Sequence, residues 1–304
     1  MKYQYVAYGL NIESELCLPG LRSGSGLDLP VVSIRQARSI DRVDLGSRHD
    51  GGDFLFLKLP GLLEYWVSAG QELTFWPDQT TDEGVATFSM QQTASGFGLA
   101  LLLRQRGLLT LHAAVVAKRE QAIVFVGESG WGKSTLAEYF SQNGYEVICD
   151  DIGAIEITDN EIRVLQGNAT IKLRSGSEAI LDDSLRVSPR YLDGRLHLPK
   201  ASVNSSGIPI AHIFLLENSF ASRSSIEPLT PTAKIVELIR HTHGAHLLTR
   251  PDYQAAHLRQ CSDLAKRVPM SLLRRQGGLS NLSTILELVE NHVYDQTVEV
   301  GMVE

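Results

Sequence analysis

Gln121-Ala122-Ile123-Val124-Phe125-Val126-Gly127-Glu128-Ser129-Gly130-Trp131-Gly132-Lys133-Ser134 reads as a buried strand running into a glycine-rich loop. The last eight residues fit G-x-x-x-x-G-K-[ST] at every fixed position. Ser134 to Gln142 continues as a helix. Asn143-Gly144 closes it, because both residues tolerate the left-handed conformation that a helix end needs. Glycines let the backbone curl until its N–H groups face phosphate oxygens, and the helix N-terminus adds partial positive charge. Lys133 is placed to reach the β- and γ-phosphates, and Ser134 offers its hydroxyl to Mg²⁺. As a phosphate ligand, Lys133 is expected to be exposed. The residues Gly127, Glu128, Ser129, Gly130, Trp131, Gly132, Lys133, Ser134 and Thr135 are therefore expected to hold a nucleoside triphosphate, ATP or GTP, with Trp131 serving mainly as packing.

Downstream, Glu146 to Cys149 reads as a short strand ending in Asp150-Asp151, with Cys149 facing the core. A carboxylate beyond a buried strand beside such a loop is the usual partner of Mg²⁺. The ion is hard and takes oxygen ligands, so one acid suits the metal. The other is free to accept a proton from an attacking hydroxyl. Upstream, His112 lies on the apolar strand Leu109 to Ala117. On the residues alone its reading stays open between structure and catalysis.

The flanking sequence divides in two. Residues 1–93 are rich in Gly, Asp, Ser and Pro, with short extended runs at Tyr3 to Leu10, Val31 to Arg35, Asp53 to Lys58 and Leu62 to Val67. They read as a small β-rich N-terminal domain. Residues 94–304 carry the glycine-rich loop. Ala94 to Arg106 reads as a helix entering this second domain, and Ala154 to Thr158 with Glu161 to Leu165 as a hairpin. Later come a strand at Ile210 to Glu217, helices at Ala233 to His241 and Tyr253 to Lys266, a strand at Val268 to Leu273 and a closing helix at Leu279 to His292.

Composition is ordinary for a globular protein: 43% hydrophobic and 21% charged residues in a 304-residue chain. The net charge of -7 argues against non-specific nucleic-acid binding. Three scattered cysteines, Cys17, Cys149 and Cys261, form no C-x-x-C pair. They fit a reducing cytoplasm rather than a disulfide framework. The first residues lack the apolar core of a signal peptide, and no apolar run approaches the roughly 20 residues of a membrane span. A cytoplasmic protein with no membrane partner is expected.

Leu111-His112-Ala113-Ala114, then Gly127 to Ser134, then Cys149-Asp150-Asp151, resembles the catalytic core of the HPr kinase/phosphorylase family in order and spacing. Ala7 to Leu16 with Leu18-Pro19, and Arg267 to Leu273, resemble a branch of HPr-kinase-like proteins found with lasso-peptide maturation genes. The resemblance implies an α/β fold, a P-loop kinase core of the HPr kinase type with a mixed sheet, and a serine kinase activity. It implies Asp150 as general base, Asp151 and Ser134 at the metal, Lys133 on the phosphates and His112 beside them. It also implies a peptide or small protein acceptor, in the lasso branch the C-terminal serine of a precursor, and a homo-oligomer. Two departures stand out. Thr135 replaces the acid that the bifunctional enzymes carry after the loop serine, and their late glycine-and-arginine signature is missing.

Two weaker features remain. His241, His243 and His246 suggest a metal site, against the plainer reading of cationic side chains at a helix end. Lys172, Arg174, Arg186, Arg190, Arg195 and Lys200 make a locally basic stretch, read as ordinary surface or as a contact for a peptide carboxylate. Four functions compete: a peptide serine kinase, a kinase of a folded phosphocarrier protein, an NTPase switch, and an enzyme like phosphoenolpyruvate carboxykinase. The last should carry a larger metal set than any visible here.

Overall fold

The computed structural model describes residues 2–37, 53–173, 177–180, 196–199, 207–219 and 223–295. Seven strands make the first sheet: β1 (Tyr3–Ala7), β2 (Leu10–Ser14), β3 (Arg22–Ser23), β4 (Val31–Gln36), β5 (Phe54–Leu59), β6 (Leu63–Ser68) and β7 (Glu72–Pro77). Their order is β3-β1-β2-β4-β7-β6-β5, with β4 parallel to both its neighbours. The run Tyr3 to Leu10, expected as one strand, is a hairpin. Ala7 pairs with Leu10, and Tyr8 and Gly9 form the two-residue turn at φ 55° and 69°. A turn of this kind needs positive φ at both central residues. Glycine supplies that freely, whereas Tyr8 must be held there.

Helices α1 (Glu83–Ser95) and α2 (Phe97–Gln105) follow, broken at Gly96. Asp82 caps α1 through Gly84 N and Val85 N. In α2, Gly98 to Leu103 are all buried, as expected of a helix that is apolar all round. It packs between β6 and β7 on one side and β8 (Leu109–Lys118) and β10 (Glu146–Ile157) on the other.

The second sheet is built on β8, β9 (Gln121–Val126) and β10. Between β9 and β10 lies α3 (Lys133–Gln142), and β10 is followed by β11 (Ile162–Val164) and β12 (Thr170–Leu173). The later elements are β13 (Leu196–Pro199), β14 (Ile208–Ser219), β15 (Ser225–Pro228), α4 (Pro231–Arg240), α5 (Pro251–Arg267), β16 (Met270–Gln276) and α6 (Leu282–Glu290). The order is β11-β10-β8-β9-β14-β16-β15. Strands β9, β14 and β16 run parallel, and β8 is antiparallel to both β9 and β10. The fold is α/β with two mixed sheets.

Alternation along the central strands explains the layers. Ile123 and Phe125 join the core under α3 and α6, whereas Val124 and Val126 join the core under α4 and α5. Side chains alternate faces along a strand, so a sheet covered on both sides reads as one continuous apolar run. Each fully buried Phe, Leu or Ile here stabilises the fold by about 1.5–3 kcal/mol. Among the described residues, no helix is long and apolar enough to cross a membrane.

Candidate active site

The glycine-rich loop sits between the end of β9 and the start of α3. Gly132 adopts φ 81° at the helix N-cap, and no side chain caps this helix. An uncapped helix start offers its first N–H groups and its partial positive charge to an anion. The Arg275 guanidinium also lies close against this glycine. A Cβ there would come within 2.5 Å of Arg275 Nη2. Lys133, expected to be exposed, is only 6% exposed. Its Nζ donates to Gly127 O at 2.7 Å and Glu128 O at 3.2 Å, so the ammonium is folded back across the loop.

Asp150 and Asp151 lie in the middle of β10, not at the end of a strand as the sequence suggested. The reason is pairing: β10 continues against β8, with Asp151 opposite Ala113 and Ile152 opposite His112. Asp150 is 5% exposed. Its Oδ1 accepts from Ser134 Oγ at 3.0 Å and its Oδ2 from Lys172 N at 3.0 Å. Burial pushes its carboxyl up to about 6, against the opposing hydrogen bond from Lys172 N. Asp151 turns the other way through a backbone at φ 88°. Such a conformation costs a non-glycine residue about 1–3 kcal/mol and tends to persist at functional sites. Burial would raise the Asp151 carboxyl, but electrostatic attraction to the neighbouring His243, Lys172, His112 and Lys133 outweighs it and holds it below the usual range.

His112 Nδ1 stands 3.5 Å from Asp151 Oδ1. The segment after α4 pairs with β8: His112 N donates to His241 O and His243 N to Thr110 O, both at 2.8 Å. That pairing brings the His243 ring to 5.2 Å from the His112 ring, centroid to centroid. It also sets His243 Nε2 2.9 Å from Asp151 O. The three histidines of this segment do not converge on one another. His241 is buried beside Glu237 at 3.5 Å, and His246 is exposed. Arg240 instead reaches the loop, pairing with Glu128 at 2.7 Å.

The loop and the acid pair border one cavity of about 430 Å³. It is lined by loop residues Ser129, Gly130, Gly132, Lys133, Ser134 and Thr135, by His112, and by both aspartates. Of the other candidates, Gly127 and Glu128 line a smaller cavity of about 250 Å³ on the far side of His112. Trp131 packs on the core beneath α3, and Cys149 is fully buried. Gln92, Gly96, Phe97, Lys172 and Ser177 complete the main wall, and of these sequence reading singles out Lys172 alone. Gln92 lies on α1, which is neither apolar nor amphipathic, and Phe97 on the apolar α2, so no spacing tied them to the loop. Of the basic stretch, Lys172 is at the cavity, and Arg174, Arg186, Arg190, Arg195 and Lys200 lie outside the described residues.

Burial sets an acid limit on this architecture. It pushes His241 and His112 down to about 4 and His212 down to about 3, from an ordinary value of 6.5. The unfolded chain therefore binds protons near pH 5 that the folded chain refuses, and stability is lost as pH falls from about 6.5 toward 4. Asp150, raised to about 6, acts oppositely in part of this window. Three histidines against one carboxylate leave a net loss. His212 and His241 are nearly inaccessible, and each should account for about 2 kcal/mol at pH 5. The urea midpoint should be clearly lower at pH 5 than at pH 7. A midpoint that stays level or rises on acidification would show that these rings are not held neutral.

Comparison with known proteins adds little to this geometry. No family model matches the chain, and no curated protein matches it. Among solved structures it is similar to the HPr(Ser) kinase/phosphatase from Coxiella burnetii, at 16% identity and a TM-score of 0.34. The alignment covers 64% of this chain and 99% of that one. A likeness at that level says nothing of substrate or residue roles.

Proposed function

We propose that the chain is a nucleoside-triphosphate-dependent phosphotransferase that moves a terminal phosphoryl group to a serine hydroxyl. One observation carries this reading. Lys133, Ser134, His112 and two carboxylates border a single cavity at an uncapped helix N-terminus. The loop and Lys133 bind the phosphates of ATP or GTP. Ser134 and Asp150 suit Mg²⁺, since their adjacent oxygens are hard donors and no nitrogen intervenes. When bound, that ion neutralises charge on the transferring group.

The allocation of the aspartates follows from reach. The sequence reading gave the proton to Asp150 and the metal to Asp151. Asp150's raised proton affinity suits a base, but both its oxygens are already engaged. Reach is the first requirement of a general base, and proton affinity the second. We therefore assign Asp151, facing His112 in the cavity, to take the serine proton. The serine oxygen bonds to phosphorus as the bridging P–O bond breaks, and the electron pair leaves with the nucleoside diphosphate. His112, held neutral, orients the Asp151 carboxylate.

For the acceptor we infer a serine at or near the C-terminus of a ribosomally made peptide, as in lasso-peptide precursors. The resemblance of Ala7 to Leu16 and Arg267 to Leu273 to that branch supports it. A basic group such as Arg174, Arg190 or Lys200 would hold the terminal carboxylate. The test is a matched pair of peptides, free acid and amide, incubated with ATP and Mg²⁺ beside a folded phosphocarrier protein, and read by mass spectrometry. The free acid should react about tenfold faster or more, because a charge-assisted contact contributes about 1.5–3 kcal/mol. Equal peptide rates discard carboxylate recognition. Labelling of the carrier alone transfers the activity to the second acceptor class, and nucleotide hydrolysis with no labelling at all leaves an NTPase switch.

A further inference from the structure

We propose that His112, Asp151 and His243 form a binding site for a transition-metal dication of the Zn²⁺ class, separate from the Ser134–Asp150 position. One donor atom from each of the three residues lies within 4.8 Å of the others. The donors come from β8, from β10 and from the segment after α4, and main-chain pairing fixes that segment against β8. Arg104 Nη1 ties it down further, donating to His243 O at 3.0 Å. The site is thus assembled by the fold, not by the chance meeting of mobile side chains.

Access and chemistry agree with this reading. All three residues are partly exposed. His112 lines both cavities, His243 the smaller one and Asp151 the larger. The trio therefore stands at the boundary where solvent and ions enter. Tetrahedral zinc with bonds near 2.0–2.1 Å needs donors roughly 3.3 Å apart, so modest side-chain rotation closes the set. Ligating histidines are usually oriented by a second polar contact, and His243 has one in the Asp151 carbonyl oxygen. Two imidazoles and one carboxylate favour zinc or cobalt over magnesium, which prefers oxygen. The set leaves room for water or a substrate oxygen as the fourth ligand. An ion held here would withdraw Asp151 from proton transfer, so occupancy would act as a brake on the proposed reaction.

The inference does not depend on nucleotide binding, and its test does not use turnover. The nucleotide-free full chain would be titrated with Zn²⁺ by calorimetry and with Co²⁺ by visible absorption. One equivalent should bind, with cobalt bands typical of a nitrogen-containing site, and millimolar Mg²⁺ should not displace it. His243→Ala should weaken Zn²⁺ at least about tenfold while its thermal midpoint stays near wild type. Lys133→Ala should bind Zn²⁺ as the wild type does, which separates this site from the phosphate loop. No binding by the folded wild type, an unchanged affinity in His243→Ala, or displacement by Mg²⁺ would each overturn the assignment.

Discussion

Lys133→Ala is expected to abolish phosphoryl transfer while the protein stays folded. The ammonium is held across the loop by the carbonyls of Gly127 and Glu128. A triphosphate entering the loop offers stronger, charged acceptors, and the same Nζ can exchange two neutral bonds for charge-assisted ones. Loss of one preorganised donor to developing charge typically slows a reaction roughly 100- to 1,000-fold, and here the donor is also a full positive charge. The cost to the fold should be smaller, because Gly127 and Glu128, which hold the ammonium, border the smaller cavity, which water can enter. Turnover and a thermal melt would be measured together. Wild-type turnover in a folded Lys133→Ala protein would sink the phosphate-loop reading and with it the proposed function.

The second large effect separates the two aspartates. Asp151→Asn keeps the shape of the side chain but cannot accept a proton. General-base assistance is worth roughly 100- to 10,000-fold, so kcat should fall by that order with little change in nucleotide affinity. Asp150→Asn removes the charge from a buried carboxylate that accepts bonds from Ser134 and the Lys172 backbone. Its main signature should be a higher Mg²⁺ requirement, partly overcome by adding metal. The two variants would be compared in kcat and in half-saturating Mg²⁺. If Asp150→Asn loses kcat at saturating metal while Asp151→Asn shifts only the metal requirement, the roles are reversed and the allocation first read from the sequence stands.

The outline of this site was legible in the sequence because its parts lie close together along the chain. The loop, its helix and the acid pair fall within Gly127 to Asp151, and each follows from local chemistry. What was not legible depends on pairing over long separations. In sequence Asp150 and Asp151 read as a strand end, yet the ladder with β8 carries β10 straight through them. Arg275 gave no signal, since a basic residue near a strand end is ordinary, yet its guanidinium lies against Gly132 at the start of α3. His243 was read with its sequence neighbours as a helix end. Its partner proved to be Asp151, 92 residues away. Tyr8 misled in the same manner, since an aromatic in an apolar run reads as strand until its turn is seen.

Tyr8 also changes what can be done with the chain as hereditary material. Its N–H donates to Gln166 O, its hydroxyl accepts from Asn168 N, and a Cβ at Gly167 would strike its ring. The same strip meets the acid strand, where Asp150 N donates to Asn168 O and Gly167 N to Ile148 O. A hairpin turn in the first sheet is thus wedged behind the carboxylate pair of the second. The N-terminal sheet is consequently not a detachable cassette. Position 8 and positions 166 to 168 must drift as a linked set, and a chimera that joins the first sheet of one relative to the second of another would inherit a mismatched wedge, even with every residue bordering the cavity intact.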